Sequence, residues 1–527
     1  MLGAGTENGN AVEFFLDRHL REDRARRLAF ADPWRSLTYG GLAEASCRFA
    51  GALTAAGIGR ERRVGLLLLD TIDFPAAFWG AIRAGVVPVP INTLLTPEQI
   101  GYILADCRAE ALVVSAPLLP ALSPVLGLLA DLRRIIVAAP DGGPADLGGD
   151  ARAIGWSAFL AGGPASLAPV FAATDEVAFW LYSSGSTGAP KGAKHAHSSL
   201  RATADTYARQ VLGIVPDDVM FSAAKLFFAY GLGNGMTFPM SVGAQAVLLP
   251  ERPTPEAVLA TMRRHRPSIF GGVPTLYAAL LAHPGLGPGA GSDRLRRCIS
   301  AGEALPETVG RRWSETVGVD ILDGIGSTEL LHIFISNRPG EVRYGTSGRA
   351  VPGYELKIID ESGAEAADGQ EGELIVRGDS AADGYWNQRA KSRRTFRGEW
   401  TYTGDTYLRD AEGFYHYRGR SDDMIKVSGI WVSPFEVEAA LISHPSVLEA
   451  AVIGHADADG LIKPKAFVVL REDSPIDPAT LRELLKEHVK ERIGPWKYPR
   501  WIELVESLPK TATGKIQRFK LRAGAQE

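Results

Sequence analysis

Tyr182-Ser-Ser-Gly-Ser-Thr-Gly-Ala-Pro-Lys-Gly192 follows directly on the apolar run Val177-Ala-Phe-Trp-Leu-Tyr182. The apolar run has the length and composition of a buried strand. It ends in three glycines, three serines, a threonine and a lysine. Small residues let backbone approach a ligand closely, and glycine tolerates positive φ. Their N–H groups and hydroxyls can wrap an anion, with the charge of Lys191 added. The composition is that of a phosphate cradle, but Pro190 stands where the G-x-x-x-x-G-K-[ST] loop needs its second glycine. Taken alone, a Gly/Ser turn without a ligand fits as well.

Four further segments follow in order: Gly324-Ile-Gly-Ser-Thr-Glu329, Tyr402-Thr-Gly-Asp405, Gly419-Arg-Ser-Asp-Asp423 and Pro509-Lys-Thr-Ala-Thr-Gly-Lys515. Together with the loop they resemble the adenylate-forming superfamily of acyl- and aryl-CoA synthetases, adenylation domains and luciferases, over essentially the whole chain. Within it the chain is most similar to bacterial benzoate- and hydroxybenzoate-CoA ligases. That closer likeness rests on Lys225-Leu-Phe-Phe-Ala-Tyr-Gly-Leu-Gly-Asn234, Ser327-Thr-Glu-Leu-Leu-His-Ile333 and Lys426-Val-Ser-Gly-Ile-Trp-Val-Ser-Pro434.

The bulk properties agree. A chain of 527 residues is several domains' worth. Its 46% hydrophobic and 22% charged residues are ordinary for a globular protein. A net charge of −4 offers no basic field for nucleic acid or an anionic membrane. Cys47, Cys107 and Cys298 are far apart, which indicates neither a disulfide framework nor a zinc site. The polar start from Met1 to Asn10 argues against a signal peptide, and no apolar run approaches a membrane span. The expectation is a cytoplasmic protein.

From about Asn10 to Pro169, short apolar runs (Val64–Leu69, Ala111–Val114) alternate with helical stretches (Phe74–Arg83, Pro97–Cys107). That pattern predicts α/β architecture with parallel strands. Ala138 to Pro169 reads as loop and short helix. After about Gly345, strand-like runs separated by Asp/Gly turns predict a β-rich subdomain. The last hundred residues predict a compact α+β module. It includes a helix started by Ser433-Pro-Phe-Glu436 and an amphipathic helix from Thr480 to Arg492 burying Leu481, Leu484, Leu485 and Val489. The expected domains are 1–420, binding AMP and the aryl acid, and 421–527, a mobile C-terminal domain, with the family's hinge at Asp422.

The resemblance also implies roles. Ser183, Ser184, Gly185, Ser186, Thr187, Gly188 and Lys191 would hold the β- and γ-phosphates of ATP. Thr328 would contact phosphate and Glu329 would hold Mg²⁺, a hard cation that takes carboxylate oxygen; alone, Glu329 reads as a glutamate at a helix start. Ala301, Gly302 and Glu303 would face Asp323, Gly324 and Ile325 across the adenine. Asp405, in a Thr-Gly-Asp turn, would accept both ribose hydroxyls, with Arg420 beside it. Lys515 would reach the carboxylate and α-phosphate during adenylation. Rotation about Asp422 would then withdraw it and bring Lys426 and Gly429 in for coenzyme A. The reaction implied is acid plus ATP to acyl-AMP and pyrophosphate, then thiol attack to acyl-CoA and AMP.

By the closer likeness, Phe228, Ala229, Tyr230, Gly231, Gly326, His332 and Ile333 would line an aromatic-acid slot. Phe228 stands where many family members have histidine. The bland reading of Phe-Phe-Ala-Tyr is core. Benzoate leads, with 3- or 4-hydroxybenzoate or 2-aminobenzoate as alternatives. A slot that hydrogen-bonds a hydroxyl can reject the bare ring strongly, whereas an apolar slot discriminates weakly. His332 or the Tyr230 hydroxyl could serve such a hydroxyl or be satisfied by backbone. A freestanding adenylation domain loading a carrier protein is a further alternative, weakened by the lack of an appended carrier domain. A non-catalytic sensor is opposed by intact Lys515, Glu329 and phosphate loop. His195-x-His197 reads as ordinary loop histidines rather than a metal pair. A monomer or homodimer is expected, with Lys515 open to a lysine acetyltransferase.

Overall fold

The computed structural model describes residues 8–183, 189–420, 423–427, 430–457, 462–471, 477–494, 497–510 and 516–524. The chain divides into two compact units. One comprises Met1–Ser184, Ala189–Glu355 and Val376–Thr401, and the other includes Leu356–Ile375 and Tyr402–Glu527.

The first unit is α/β. Val87–Pro90, Arg63–Leu67, Ala109–Ser115, Arg134–Ala138 and Ala153–Gly155 lie side by side in that order, all parallel. The strand Ala153–Gly155 falls within the stretch read as loop and short helix. Ala109–Ser115 is buried along its whole length, as a strand covered on two faces must be. The helix Asp73–Arg83 is also buried throughout. Its one basic residue, Arg83, is satisfied by Asp17, Ser46 and the Leu167 carbonyl. Removing any of those partners would leave a buried charge short of its hydrogen bonds, a severe penalty.

A nine-stranded sheet carries the rest. Its centre is Ile321–Gly326, Arg297–Ser300, Ile269–Gly272, Val219–Ser222 and Gln245–Val247, each parallel to its neighbour. Leu28–Ala31 joins this sheet beside Gln245–Val247, although it precedes the other sheet in the chain. In a parallel sheet the carboxyl ends of the strands all point one way, where ligands collect. Here Ser222, Gly272, Ser300 and Gly326 end their strands on that side. The antiparallel pair Val177–Ser183 and Lys191–Ala196 stands apart, with Ser183 opposite Lys191.

In the second unit, Val447–Ala456, Ile462–Leu470 and Trp501–Leu504 form a three-stranded sheet. The helices Pro434–Ile442 and Pro478–Ile493 belong to the same core as its strands. Ser433 caps the first helix by accepting from the Glu436 N–H. The second helix buries Leu481, Leu485 and Val489, while Leu484 is 44% exposed. The expected apolar face is therefore one residue narrower.

Candidate active site

Ser183 and Lys191 frame the predicted phosphate loop from opposite strands. The Ser183 hydroxyl is buried and has no partner among the described residues, as an anion-binding hydroxyl awaiting its acceptor would be. Gly192 is required where it is: a Cβ there would lie 2.9 Å from the Tyr182 ring.

Lys191 reaches Glu329. Its ammonium lies 3.2 Å from Glu329 Oε1 and donates to the Tyr385 hydroxyl at 2.8 Å. Tyr385 in turn donates to the same Glu329 oxygen at 2.7 Å. Burial pushes the Glu329 carboxyl up, but the Lys191 charge and the Tyr385 hydrogen bond outweigh it and hold the pKa below its ordinary value. The carboxylate is thus ionised at neutral pH, as a ligand for a hard cation must be. Thr328 and Glu329 sit in the turn between the antiparallel strands Ile321–Gly326 and Ile333–Ser336, not at a helix start. Leu331 adopts φ 65° there. The Thr328 carbonyl accepts from His195 Nε2 at 2.9 Å. His195 is therefore a buried strand residue and His197 begins a helix, so neither is a loop histidine.

Ala301, Gly302 and Glu303 follow the end of Arg297–Ser300, which pairs in parallel with Ile321–Gly326 and sets Ser300 opposite Asp323. The two predicted adenine segments are thereby neighbours. Gly302 takes φ 96°. A Cβ on Gly324 would sit 2.6 Å from the Ile335 carbonyl oxygen, and one on Gly326 would sit 2.5 Å from that of His332. Asp323 is buried, its Oδ1 lacks a partner, and desolvation raises its pKa to about 8.

The predicted ring-pocket residues also come together. His332 is packed among aromatic rings: Phe238 at 4.4 Å between centroids, Tyr207 at 5.2 Å and Tyr230 at 5.6 Å. Burial drives its imidazole pKa down to about 3, so it is neutral. Its Nε2 donates to the Tyr230 carbonyl at 3.3 Å, which leaves Nδ1 as a buried acceptor with no partner. The Tyr230 hydroxyl donates to the Gly272 and Ile299 carbonyls at 3.1 and 3.0 Å. Of the two groups considered for a ring hydroxyl, Tyr230 is therefore satisfied by backbone. Phe228 and Tyr230 are only partly buried, whereas Phe227 behind them is core. A Cβ on Gly231 would lie 2.0 Å from the Lys225 carbonyl oxygen. Ile333 is buried at the start of its strand.

In the second unit, Asp405 lies within the strand Trp400–Arg409 rather than in a turn, and pairs with Arg420 on Tyr415–Arg420. Arg420 Nη1 donates to Asp405 Oδ1 at 3.0 Å. Gly404, at φ 69°, leaves room for that guanidinium: a Cβ would be 2.8 Å from it. Lys426 lies on Ile425–Val427, opposite Trp431. Ser184, Gly185, Ser186, Thr187, Gly188, Asp422, Gly429 and Lys515 lie outside the described residues, as does the Lys426 side chain.

Tyr385, Tyr207 and Phe238 were missed from the sequence. Tyr385 sits in Ala382-Asp-Gly-Tyr-Trp386, which reads locally as a turn, and only its long-range contacts mark it. Among the described residues no cluster of three or more His, Cys, Asp or Glu side chains could hold a metal, and no helix is long and apolar enough to cross a membrane. The cysteines are free and buried.

A lysine held against a buried carboxylate, beside an α/β unit built on parallel sheets, is an arrangement suited to a nucleotide-activating enzyme. The chain belongs to the AMP-binding enzyme family, which matches residues 16–386, with the AMP-binding enzyme C-terminal domain over 436–515. It is 56% identical to the benzoate–CoA ligase of Thauera aromatica over 98% of this chain and 96% of that one. It is 52% identical to the 4-hydroxybenzoate–CoA/benzoate–CoA ligase of Rhodopseudomonas palustris over 97% and 94%. The crystal structure of a benzoate CoA ligase from Burkholderia xenovorans superposes with a TM-score of 0.88 at 49% identity, covering 98% of this chain and all of that one. The fold is the adenylate-forming enzyme fold, a large α/β domain followed by a small C-terminal one.

Proposed function

We propose that the chain is an ATP- and CoA-dependent benzoate ligase, forming benzoyl-AMP and pyrophosphate and then benzoyl-CoA and AMP. The observation that carries this reading is identity above half, sustained over nearly the full length of a benzoate–CoA ligase. The slot chemistry supports it. The Tyr230 hydroxyl has its one proton engaged by backbone carbonyls and cannot donate to a ring substituent, and the walls around His332 are aromatic.

The site residues take these roles. Lys191 and the 183–188 loop bind the β- and γ-phosphates as charge and N–H donors. Glu329 is the carboxylate for Mg²⁺, and its ionised, partly buried oxygens fit that donor requirement. When bound, the metal would neutralise phosphate charge. The protein's own part is positioning: Lys191 and Glu329 arrive from separate elements at one point. Asp405 and Arg420 hold the ribose, and the backbone of 301–303 and 323–325 borders the adenine. Lys515 faces the α-phosphate in the first half-reaction. Lys426 and Gly429 serve coenzyme A in the second, with Asp422 as hinge between domains 1–420 and 421–527.

A second reading, with 4- or 3-hydroxybenzoate preferred, is favoured by one feature, the unpartnered Nδ1 of His332. It could accept from a phenol. The test is AMP release with ATP, Mg²⁺ and CoA across benzoate, 3- and 4-hydroxybenzoate, 2-aminobenzoate and cyclohexanecarboxylate. The expected kcat/KM maximum is at benzoate with modest loss on substitution. A sharp maximum at one hydroxybenzoate would install the second reading, and no turnover on any acid would remove the aryl assignment.

A further inference from the structure

The segment Ala382–Trp386 does more than connect strands. Lys194 N donates to the Gly384 carbonyl, Asp383 N to that of Lys194, and Trp386 N to that of Gly192. It thus runs antiparallel along the strand that closes the phosphate loop, with Ala193 opposite Tyr385. At its other end Ala382 N donates to the Glu329 carbonyl. One short stretch is therefore hydrogen-bonded to the two elements that must meet at the triphosphate.

Tyr385 finishes the connection with its side chain. The ammonium of Lys191 can only donate, the carboxylate of Glu329 can only accept, and a hydroxyl between them does one of each. The two hydrogen bonds, 2.8 Å in and 2.7 Å out, follow that order. The ring is anchored against Ala193, Ala382 and Phe396, so the hydroxyl cannot swing away without breaking packing.

Resting on the nucleotide reading above, we propose that Tyr385 is a positioning residue for metal-nucleotide binding. Its hydroxyl holds the Glu329 oxygen aimed, and keeps Lys191 stored beside it until a phosphate claims the ammonium. When Lys191 turns to phosphate, the Tyr385 hydrogen bond is what still orients the Glu329 oxygen. Without that donor Glu329 keeps only its ion pair with Lys191, and once the ammonium turns to phosphate nothing on this segment orients the carboxylate.

The test is Mn²⁺·ATP binding without acid or CoA, followed by the free Mn²⁺ electron paramagnetic resonance signal, for the wild type, Tyr385→Phe and Phe396→Leu. Tyr385→Phe keeps the ring and loses the hydroxyl; Phe396→Leu disturbs the same packing and keeps the hydroxyl. The expected result is affinity weakened about tenfold in Tyr385→Phe, on the scale of one charge-assisted hydrogen bond, and unmoved in Phe396→Leu. In turnover, KM for Mg·ATP should rise more than kcat falls, and thioester formation from supplied benzoyl-AMP should persist. Equal affinity in wild type and Tyr385→Phe overturns the proposal, as does an equal loss in both variants. A wild type that binds no Mn²⁺·ATP would instead overturn the nucleotide reading on which this one stands.

Discussion

Nζ of Lys191 stands 3.2 Å from Oε1 of Glu329, joining the start of the strand Lys191–Ala196 to the turn after the Ile321–Gly326 strand. Their side chains are 21% and 15% exposed, a partly desolvated pair rather than a surface one. Glu329→Gln keeps the shape, removes the charge and leaves Lys191 without its counter-ion. Pyrophosphate release should fall by at least about 100-fold, the scale seen when metal-site partners are lost, with a raised Mg²⁺ requirement. Thiolysis of supplied benzoyl-AMP should survive. Equal losses in the two half-reactions would show that Glu329 does not belong to the first step alone.

Asp405 and Arg420 form a cross-strand pair on the second unit, and Arg420 is 45% exposed. Arg420 is half-exposed and screened while Asp405 is largely buried, so Asp405→Ala should lower the melting temperature by only a few degrees, on the order of 1 kcal/mol. Its cost should fall on ATP. With Asp405 as the proposed acceptor of the ribose hydroxyls, KM for ATP should rise by about 10- to 100-fold, the equivalent of ~1.5–3 kcal/mol. An unchanged KM in steady-state kinetics would take Asp405 out of the ribose site.

These assignments were legible in the sequence to different depths. Resemblance to the family's ordered motifs marked Lys191, Glu329, Asp405 and Arg420; read alone, Glu329 and Asp405 were ordinary surface and turn acids. What local pattern could not carry was long-range pairing. Asp405 looked like a turn residue because Gly404 precedes it, yet pairing with 415–420 places it in a strand. Tyr385 was invisible because its partners lie on distant segments. Leu484 fitted the helical period and is nonetheless 44% exposed, because the period alone does not say how wide a face the neighbouring elements cover. The burial of His195 and His197 depends on elements that no local window contains.

Tyr230 offers a test of specificity. With its hydroxyl committed to Gly272 and Ile299, it has no donor left for a ring substituent. Tyr230→Phe should therefore change the ratio of kcat/KM for benzoate over 4-hydroxybenzoate by less than about threefold, under ~1 kcal/mol. It should lower stability by about 1–3 kcal/mol, since buried carbonyls lose their donor. A ratio shifted by tenfold or more would mean that the phenol reads the substrate after all.

Four buried imidazoles set the acid limit of the first unit. Burial lowers the pKa of His332 to about 3 and those of His19, His195 and His197 to about 4. A base whose folded pKa is depressed takes up its proton first in the unfolded chain. Below the unfolded value of 6.5, each therefore favours unfolding, increasingly so as pH drops toward the folded values. Two buried carboxyls work the other way. Asp323, raised to about 8, and Asp70, raised to about 6, are protonated in the fold while still ionised in the unfolded chain, so they gain stability over the same window. The lowered imidazoles outnumber these raised carboxyls, so unfolding takes up protons on balance and stability falls as pH drops from about 6 to 5. The urea midpoint should accordingly fall from pH 7 to pH 5, more steeply below about 6 than above it. A midpoint that held level or rose on acidification would mean that one or more of these histidines already carries its proton in the fold, and the neutral His332 of the ring slot would be the first to re-examine.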